Sequence, residues 1–161
     1  MPKQPTVFDA LLGTWSVRRK IVDYRSGGVF SFEGKAILTN TSFEEQGQID
    51  CGNSAFSAER AYGIRTDGDS ISILFANGAR FIELGPSVSQ AVHHHCGQDT
   101  YLGRFFFRGR EAWAEYWRVS GPKKHYASLA RYRRLPGLGA AGASAYSRTE
   151  PMLEAGSRYA F

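Results

Sequence analysis

The chain of 161 residues is long enough for one folded domain and too short for a second catalytic domain. Hydrophobic residues make up 42% and charged residues 22%, a balance that excludes an intrinsically disordered chain and allows a buried core. The net charge of +5 is uneven, because Arg118 to Arg134 holds six basic residues and no acidic one. A local excess argues against a nucleic-acid binder coated with positive charge, and it fits either a local anion site or a solvated strand end.

The apolar segment Val7–Leu12 is the first predicted element. Its spacing predicts one or two helical turns with Phe8, Leu11 and Leu12 on one side, ended by Gly13. We expect this short helix to close one mouth of the fold.

From Thr14 to Arg134 apolar and polar residues alternate with a period of two, which predicts an all-β domain. Tight-turn compositions such as Asn77-Gly78 separate the runs and predict antiparallel neighbours. A flat meander would expose two edges, so we predict an up-and-down β-barrel of about ten strands. The predicted strands are Thr14–Asp23, Val29–Thr39, Phe43–Cys51, Phe56–Arg65, Ser70–Phe75, Ala79–Leu84, Val88–Cys96, Asp99–Arg108, Glu111–Val119 and Lys124–Arg134.

The composition changes after Arg134. Residues 136–161 are rich in Gly and Ala and have no period, so we predict a flexible tail behind a single domain of residues 1–135. No run approaches about 18 apolar residues, and no signal-peptide pattern is present, so we expect a cytoplasmic protein. In that compartment Cys51 and Cys96 should be unpaired thiols.

Four charged side chains fall on the inward-facing parity: Arg19, Glu45, Arg60 and Glu115. An unpaired buried charge costs several kcal/mol, so these side chains pair with one another, contact internal water or meet a charged ligand. Pairing alone would only stabilise the fold. The ligand alternative predicts a cavity with Arg19, Arg60 and Tyr62 at its polar end and Phe32, Trp113 and Trp117 as its walls.

Three consecutive histidines end the seventh predicted strand. Alternation turns His93 and His95 outward and His94 inward with Cys96. No third ligand stands at a zinc-motif spacing, so we expect no metal site. The following turn would bring His94, Asp99 and Tyr101 together as a general base, an orienting carboxylate and a hydrogen-bond donor, or as a purely structural cluster.

Two patterns resemble known families. Gly13-Thr14-Trp15 before the first strand and Arg131-Tyr132-Arg133-Arg134 on the last resemble the lipocalin and fatty-acid-binding (calycin) pattern. That resemblance implies a calycin-like barrel with Trp15 at its closed end beneath Arg131 or Arg133. The motifs His-x-Cys-x-x-Asp-x-Tyr (from His94) and Gly-Pro-x-Lys (from Gly121) are similar to an uncharacterised bacterial family of small calycin-like domains, over about residues 8–134. The similarity implies a barrel and no particular activity.

One favoured function and three alternatives fit these observations. The favoured one is a binding protein for a small apolar or amphipathic ligand, acidic or neutral, inside the barrel. Its expected contacts are Arg19, Phe32, Arg60, Tyr62, His94, Tyr101, Trp113, Glu115 and Trp117. The alternatives are a small-barrel isomerase, cyclase or hydrolase using His94, Asp99 and Tyr101, a haem-binding barrel with His94 as axial ligand, and a scaffold using the basic last strand. We expect no cofactor and no nucleic-acid or membrane partner, and the sequence leaves open whether the chain forms a homodimer.

Overall fold

The computed structural model describes residues 6–137. One 3-10 turn, Asp9–Leu11, precedes ten strands that follow one another along the chain. The strands are β1 (Gly13–Asp23), β2 (Val29–Leu38), β3 (Ser42–Asp50), β4 (Ala55–Asp67), β5 (Ser70–Leu74), β6 (Arg80–Leu84), β7 (Ser89–Cys96), β8 (Asp99–Arg108), β9 (Ala112–Ser120) and β10 (His125–Arg134). The predicted all-β fold and its ten strands are confirmed. Most of the predicted tail, residues 138–161, lies outside the described residues, so the domain boundary stays a prediction.

All ten strands belong to one antiparallel sheet, in the order β6-β5-β4-β3-β2-β1-β10-β9-β8-β7. The first and last strands pair along their whole length, from Trp15 opposite Arg134 to Asp23 opposite Tyr126. The two ends of the sheet, β6 and β7, meet without a hydrogen-bonded ladder between them in the part of the chain that the structure describes. The Phe81 and His94 rings touch across this gap, with centroids 5.2 Å apart. The result is a nearly closed barrel with one unpaired seam.

The alternation of the sequence sets the inside and the outside of the barrel. On β1, Trp15, Val17 and Arg19 are buried whereas Arg18 and Lys20 are exposed. Val88, predicted as the first residue of the seventh strand, instead precedes β7 and is 62% exposed. The predicted inward position of Cys96 is wrong: it is the last residue of β7, where the barrel ends, and its side chain is exposed.

The indole ring of Trp117 extends from β9 across the interior toward β6. Trp117 of β9 lies flat over Gly103 of β8, where an added Cβ would come within 2.7 Å of the indole ring. Its ring then stacks on Phe81 of β6 at 5.4 Å, with an angle of 18° between the planes. Because Gly103 has no side chain, Trp117 can connect strands on either side of the seam.

The N-terminal turn closes one end of the barrel, as predicted. Phe8 and Leu11 are buried, and Trp15 Nε1 donates a hydrogen bond to the Leu11 carbonyl at 3.0 Å. The prediction that Leu12 joins this buried side is wrong. The turn is only three residues long, and Leu12 already has the extended backbone that leads into β1, so its side chain is exposed.

An arginine of the last strand covers Trp15, and it is Arg134. Its guanidinium carbon lies 4.4 Å from the centroid of the Trp15 ring. Its N–H groups donate to the carbonyls of Ala10, Leu12 and Arg110 at 2.6, 2.9 and 2.6 Å. The expectation of Arg131 or Arg133 is wrong, because Tyr132 points inward and a period of two turns both neighbours outward.

Candidate functional site

Four charged side chains and one phenol meet in the middle of the barrel. Arg19 of β1 holds Glu45 of β3 with two N–H···O contacts of 2.6 and 3.1 Å. Arg60 of β4 crosses the interior, contacting Glu45 at 3.1 Å and Glu115 of β9 at 2.6 Å. Both arginines also donate to the Tyr132 hydroxyl of β10, at 3.0 and 2.9 Å, and this hydroxyl lies 2.7 Å from Glu45. The sequence placed the four charges inside correctly, and they pair with one another.

The cluster is electrically balanced, with two guanidinium and two carboxylate groups. Burial by itself raises the pKa of Glu45, but Arg60 and Arg19 outweigh burial and lower the pKa to about 2. Burial works against the charge of Arg60 too, and the two carboxylates hold its pKa well above the usual value. Glu45 and both arginines therefore stay ionised across the physiological pH range, and the formal charges of the cluster cancel.

A cavity of about 60 Å³ lies between this cluster and the closed end. Only a few of its lining side chains are polar, Arg60, Tyr62 and Glu115 among them, and all of these stand on the side of the cluster. The apolar walls include Phe43, Ile64, Ile71, Phe81, Leu84, Phe105 and Phe107. Burial raises the pKa of the Tyr62 phenol, so this group is a neutral hydroxyl at the cavity wall.

Trp113, one of the residues that line the cavity, carries an unsatisfied hydrogen-bond donor. Its ring stacks on Tyr132 with centroids 3.6 Å apart and planes within 3° of parallel, which fixes its orientation. The ring lines the cavity, and its buried Nε1–H has no hydrogen-bond partner among residues 6–137. An unsatisfied buried N–H costs about 1–3 kcal/mol, so an acceptor placed opposite it would be favoured.

The structure divides the nine predicted ligand contacts into three groups. Five of them line the cavity: Arg60, Tyr62, Trp113, Glu115 and Trp117. Arg19 and Phe32 lie behind the charged cluster, where the Arg19 guanidinium carbon is 5.0 Å from the Phe32 centroid. His94 and Tyr101 face each other in the ladder, near the last residue of β7 and the first residue of β8, and neither lines the cavity. Sequence reasoning did not include Phe81 and Phe105 in the site, although both lie in runs of apolar residues.

The three candidate acid/base residues do not form one relay among the described residues. His94 and Tyr101 face each other with ring centroids 6.1 Å apart. Asp99 pairs instead with Lys124, whose Nζ lies 3.3 Å from the carboxylate and donates to the Tyr101 hydroxyl at 2.9 Å. Burial lowers the pKa of Lys124, but its bonds to Tyr101 and Asp99 outweigh burial and raise it, so Lys124 stays protonated.

His94 is instead part of the seam. Burial lowers its pKa, and a hydrogen bond with the backbone of Phe81 on β6 offsets this only in part. The ring also touches Phe75, with centroids 5.5 Å apart. His94 thus supplies a side-chain link between two edge strands that share no backbone ladder.

The outward histidines stand as the alternation predicted. The His93 and His95 rings are 5.7 Å apart on the outer face of β7. Within residues 6–137 no group of three or more His, Cys, Asp or Glu side chains is arranged to hold a metal ion. Likewise, no helix in that range is long and apolar enough to cross a membrane.

Comparison with known proteins places the chain in a family. A family model described as a family of unknown function, DUF6314, matches residues 11–134. The chain belongs to the DUF6314 family. That agrees with the expected resemblance to a small barrel family without an assigned activity. No curated protein matches the sequence of this DUF6314 chain.

Two solved structures share the DUF6314 barrel fold. The S-type phycobiliprotein lyase CPES from Guillardia theta has a TM-score of 0.58 at 11% identity, over 84% of this chain and 96% of that one. A protein of unknown function of the DUF3598 family from Nostoc punctiforme has a TM-score of 0.55 at 11% identity, over 82% of this chain and 51% of that one. At this identity the likeness concerns the fold alone, and it is consistent with a calycin-like barrel.

Proposed function

We propose that this DUF6314 barrel binds a small, neutral, largely apolar molecule in the cavity beside the charged cluster. The observation that carries the proposal is an apolar cavity lined by Trp113, whose ring is fixed by stacking and whose buried N–H is unsatisfied. Binding sites of this kind combine apolar walls with a few placed polar groups that orient the ligand. The proposed contacts are Arg60, Tyr62, Trp113, Glu115 and Trp117, together with Phe81 and Phe105.

Charge balance argues for a neutral ligand over an acidic one. Glu45 and Glu115 already neutralise both inward arginines, at distances down to 2.6 Å. A carboxylate entering the cavity would lose its hydration and would have to displace one of these pairs. A ligand with a single weak acceptor needs neither change, because the Trp113 N–H can bond to it.

The size of the cavity restricts the ligand further. Pockets for drug-sized ligands measure roughly 300–1,000 Å³, whereas this cavity measures about 60 Å³. We therefore infer that a ligand of even one ring requires the seam between β6 and β7 to widen. Phe81 lies both in the seam, against His94, and in the cavity wall, so its displacement would connect the two. This gives His94 and Tyr101 a role at the access route.

The size of the cavity and the positions of His94 and Asp99 also argue against the haem-binding and enzymatic alternatives. A haem is several times larger than the cavity, and His94 is not among its lining residues. The enzymatic reading needs a base oriented by a carboxylate, whereas Asp99 is engaged by Lys124. The cytoplasmic location stays a prediction from the sequence.

Three probes of one ring test the proposal: toluene without an acceptor, benzonitrile with a weak acceptor, and benzoate with a charge. Each is titrated into the full chain while the indole N–H resonances are followed by NMR, with Trp113→Phe used to assign the Trp113 signal. We expect benzonitrile to shift this signal saturably and to bind at least about tenfold tighter than benzoate, with toluene between them.

Two substitutions that add the same side-chain volume distinguish binding inside the cavity from an effect elsewhere in the protein. Leu84→Phe fills the cavity and should abolish binding, whereas Ile37→Phe adds the same ring outside it on β2 and should not. Near-UV circular dichroism reports whether each variant keeps its packing. No saturable shift with any probe would refute the binding function, and equal affinity for benzoate and benzonitrile would refute the neutral ligand.

A further inference from the structure

We propose that the outer face of β8, β9, β10 and β1 docks on an anionic lipid bilayer. Seven exposed cationic side chains point outward there: Arg18 and Lys20 on β1, Arg104 and Arg108 on β8, Arg118 on β9, and Arg131 and Arg133 on β10. We call this surface the basic face. It is separate from the cavity, and the inference does not depend on the proposed ligand.

The charge of the basic face is almost unopposed. No acidic residue occupies an outward position on these four strands, all of which lie within the described residues. Arg131 even stands directly opposite Arg18 in the ladder, an arrangement of like charges that destabilises a sheet. A counter-ion from a neighbouring strand, Glu33 of β2, lies 3.4 Å from Arg18. Such a concentration of positive charge is best explained by an anionic partner.

The far side of the barrel has the opposite character. The outward positions of β3 and β4 carry four exposed carboxylates, Glu44, Asp50, Glu59 and Asp67, against one exposed arginine, Arg65. The molecule is therefore electrostatically polarised across the barrel. A negatively charged surface would attract the basic face and repel the opposite one, so the docked orientation is defined by charge alone.

Apolar side chains stand among the cations. Leu102 and Phe106 on β8 are 52% and 43% exposed, and Leu129 on β10 is 37% exposed. In the ladder, Tyr116 of β9 lies directly between Arg104 of β8 and Leu129. Apolar groups flanked by cations are the combination that interfacial binding uses, since the apolar groups enter the acyl boundary while the cations contact lipid phosphates.

Shape and composition favour a bilayer over a nucleic acid. The outside of a barrel is convex across the strands, so a flat surface contacts only a few neighbouring strands, and the exposed apolar residues lie close together on β8 and β10, on either side of β9. Two of those residues, Leu102 and Leu129, are aliphatic and offer no plane on which a base can stack. The expectation of no membrane partner rested on the absence of an apolar span, which peripheral docking does not need.

The test measures binding of the full chain to vesicles of phosphatidylcholine alone and with 30% phosphatidylserine, by flotation. We expect at least tenfold stronger binding to the anionic vesicles, and loss of this preference in high salt. Each cation near an anionic surface contributes about fivefold in affinity. Replacing Arg104, Arg118 and Arg131 together with Gln should therefore weaken binding about a hundredfold.

A matched control removes the same charge elsewhere: Arg25, Arg65 and Arg80, all exposed and off the basic face, are replaced with Gln. This triple variant should bind within about threefold of the wild type. Leu102→Ser with Phe106→Ser should weaken binding about tenfold without changing the near-UV circular dichroism.

Three results would each overturn the proposal. The first is weak binding to both vesicle types at low salt, and the second is an equal loss in the face and control triple variants. The third is tighter binding of a fluorescein-labelled oligouridylate than of anionic vesicles, dependent on the same three arginines, which would make the basic face a nucleic-acid surface.

Discussion

Removing the charge of Glu45 is the most direct test of the buried cluster. Glu45 accepts hydrogen bonds from Arg19, Arg60 and Tyr132, five contacts between 2.6 and 3.3 Å. Glu45→Gln keeps the shape of the side chain but leaves one uncompensated positive charge in the core. It also turns an amide NH₂ toward guanidinium N–H groups, where donor would meet donor. Breaking a buried ion pair in this way costs about 3–5 kcal/mol.

The pKa of Glu45 leads to a similar magnitude. It falls from 4.5 to about 2 in the folded protein, and at about 1.4 kcal/mol per pH unit the ionised carboxylate stabilises the fold by about 3 kcal/mol. Because the folded pKa is the lower one, this stabilisation is complete above pH 4.5 and is lost as the pH falls toward about 2.

Urea unfolding at pH 7, followed by tryptophan fluorescence, measures the loss. With a slope of about 2 kcal/mol per molar urea, the Glu45→Gln midpoint should fall by about 1.5–2.5 M. Glu44→Gln is the matched control, because Glu44 is the exposed neighbour on the same strand, and it should stay within about 0.5 kcal/mol of the wild type. The difference between wild type and Glu45→Gln should narrow between pH 4.5 and 2. A Glu45→Gln midpoint equal to that of Glu44→Gln would refute the account of the cluster.

Two further stability predictions concern the closed end and the seam. Arg134→Ala removes the cation over Trp15 and three hydrogen bonds to carbonyl groups, so it should lower the free energy of unfolding in urea by about 2–3 kcal/mol. Arg133→Ala, the exposed neighbour, should lower it by less than about 0.5 kcal/mol. Equal effects of the two variants would contradict the role assigned to Arg134. His94 has a folded pKa below its unfolded value, so it stabilises the fold above about pH 6.5 and less as the pH falls below that value. Thermal unfolding between pH 7.5 and 5.5 should show this slope in the wild type and in His93→Gln but a weaker slope in His94→Gln, and an unchanged slope in His94→Gln would exclude His94 as its source.

Much of the barrel is predictable from local patterns. A period of two with turn residues between the runs is sufficient to place ten strands, because each side chain's face is decided by its own strand. The same rule puts Arg19, Glu45, Arg60 and Glu115 inside before any contact is known. It also restricts what these four side chains can contact, since a buried charge needs a partner of opposite charge or a hydrogen-bonding group.

The partners themselves are decided by tertiary structure. Arg60 contacts Glu115 across the barrel. The two side chains meet only if they lie at the same level along the barrel axis, and that level depends on the stagger of every strand pair between them. Tyr132 as the shared hydroxyl, Asp99 paired with Lys124 in place of His94, and Arg134 over Trp15 are all results of that stagger. Alternation determined which side chains face inward, because that depends on the strand alone. Closure of the sheet decided which of them touch and how much space is left, because only the rolled sheet sets the distance across the interior.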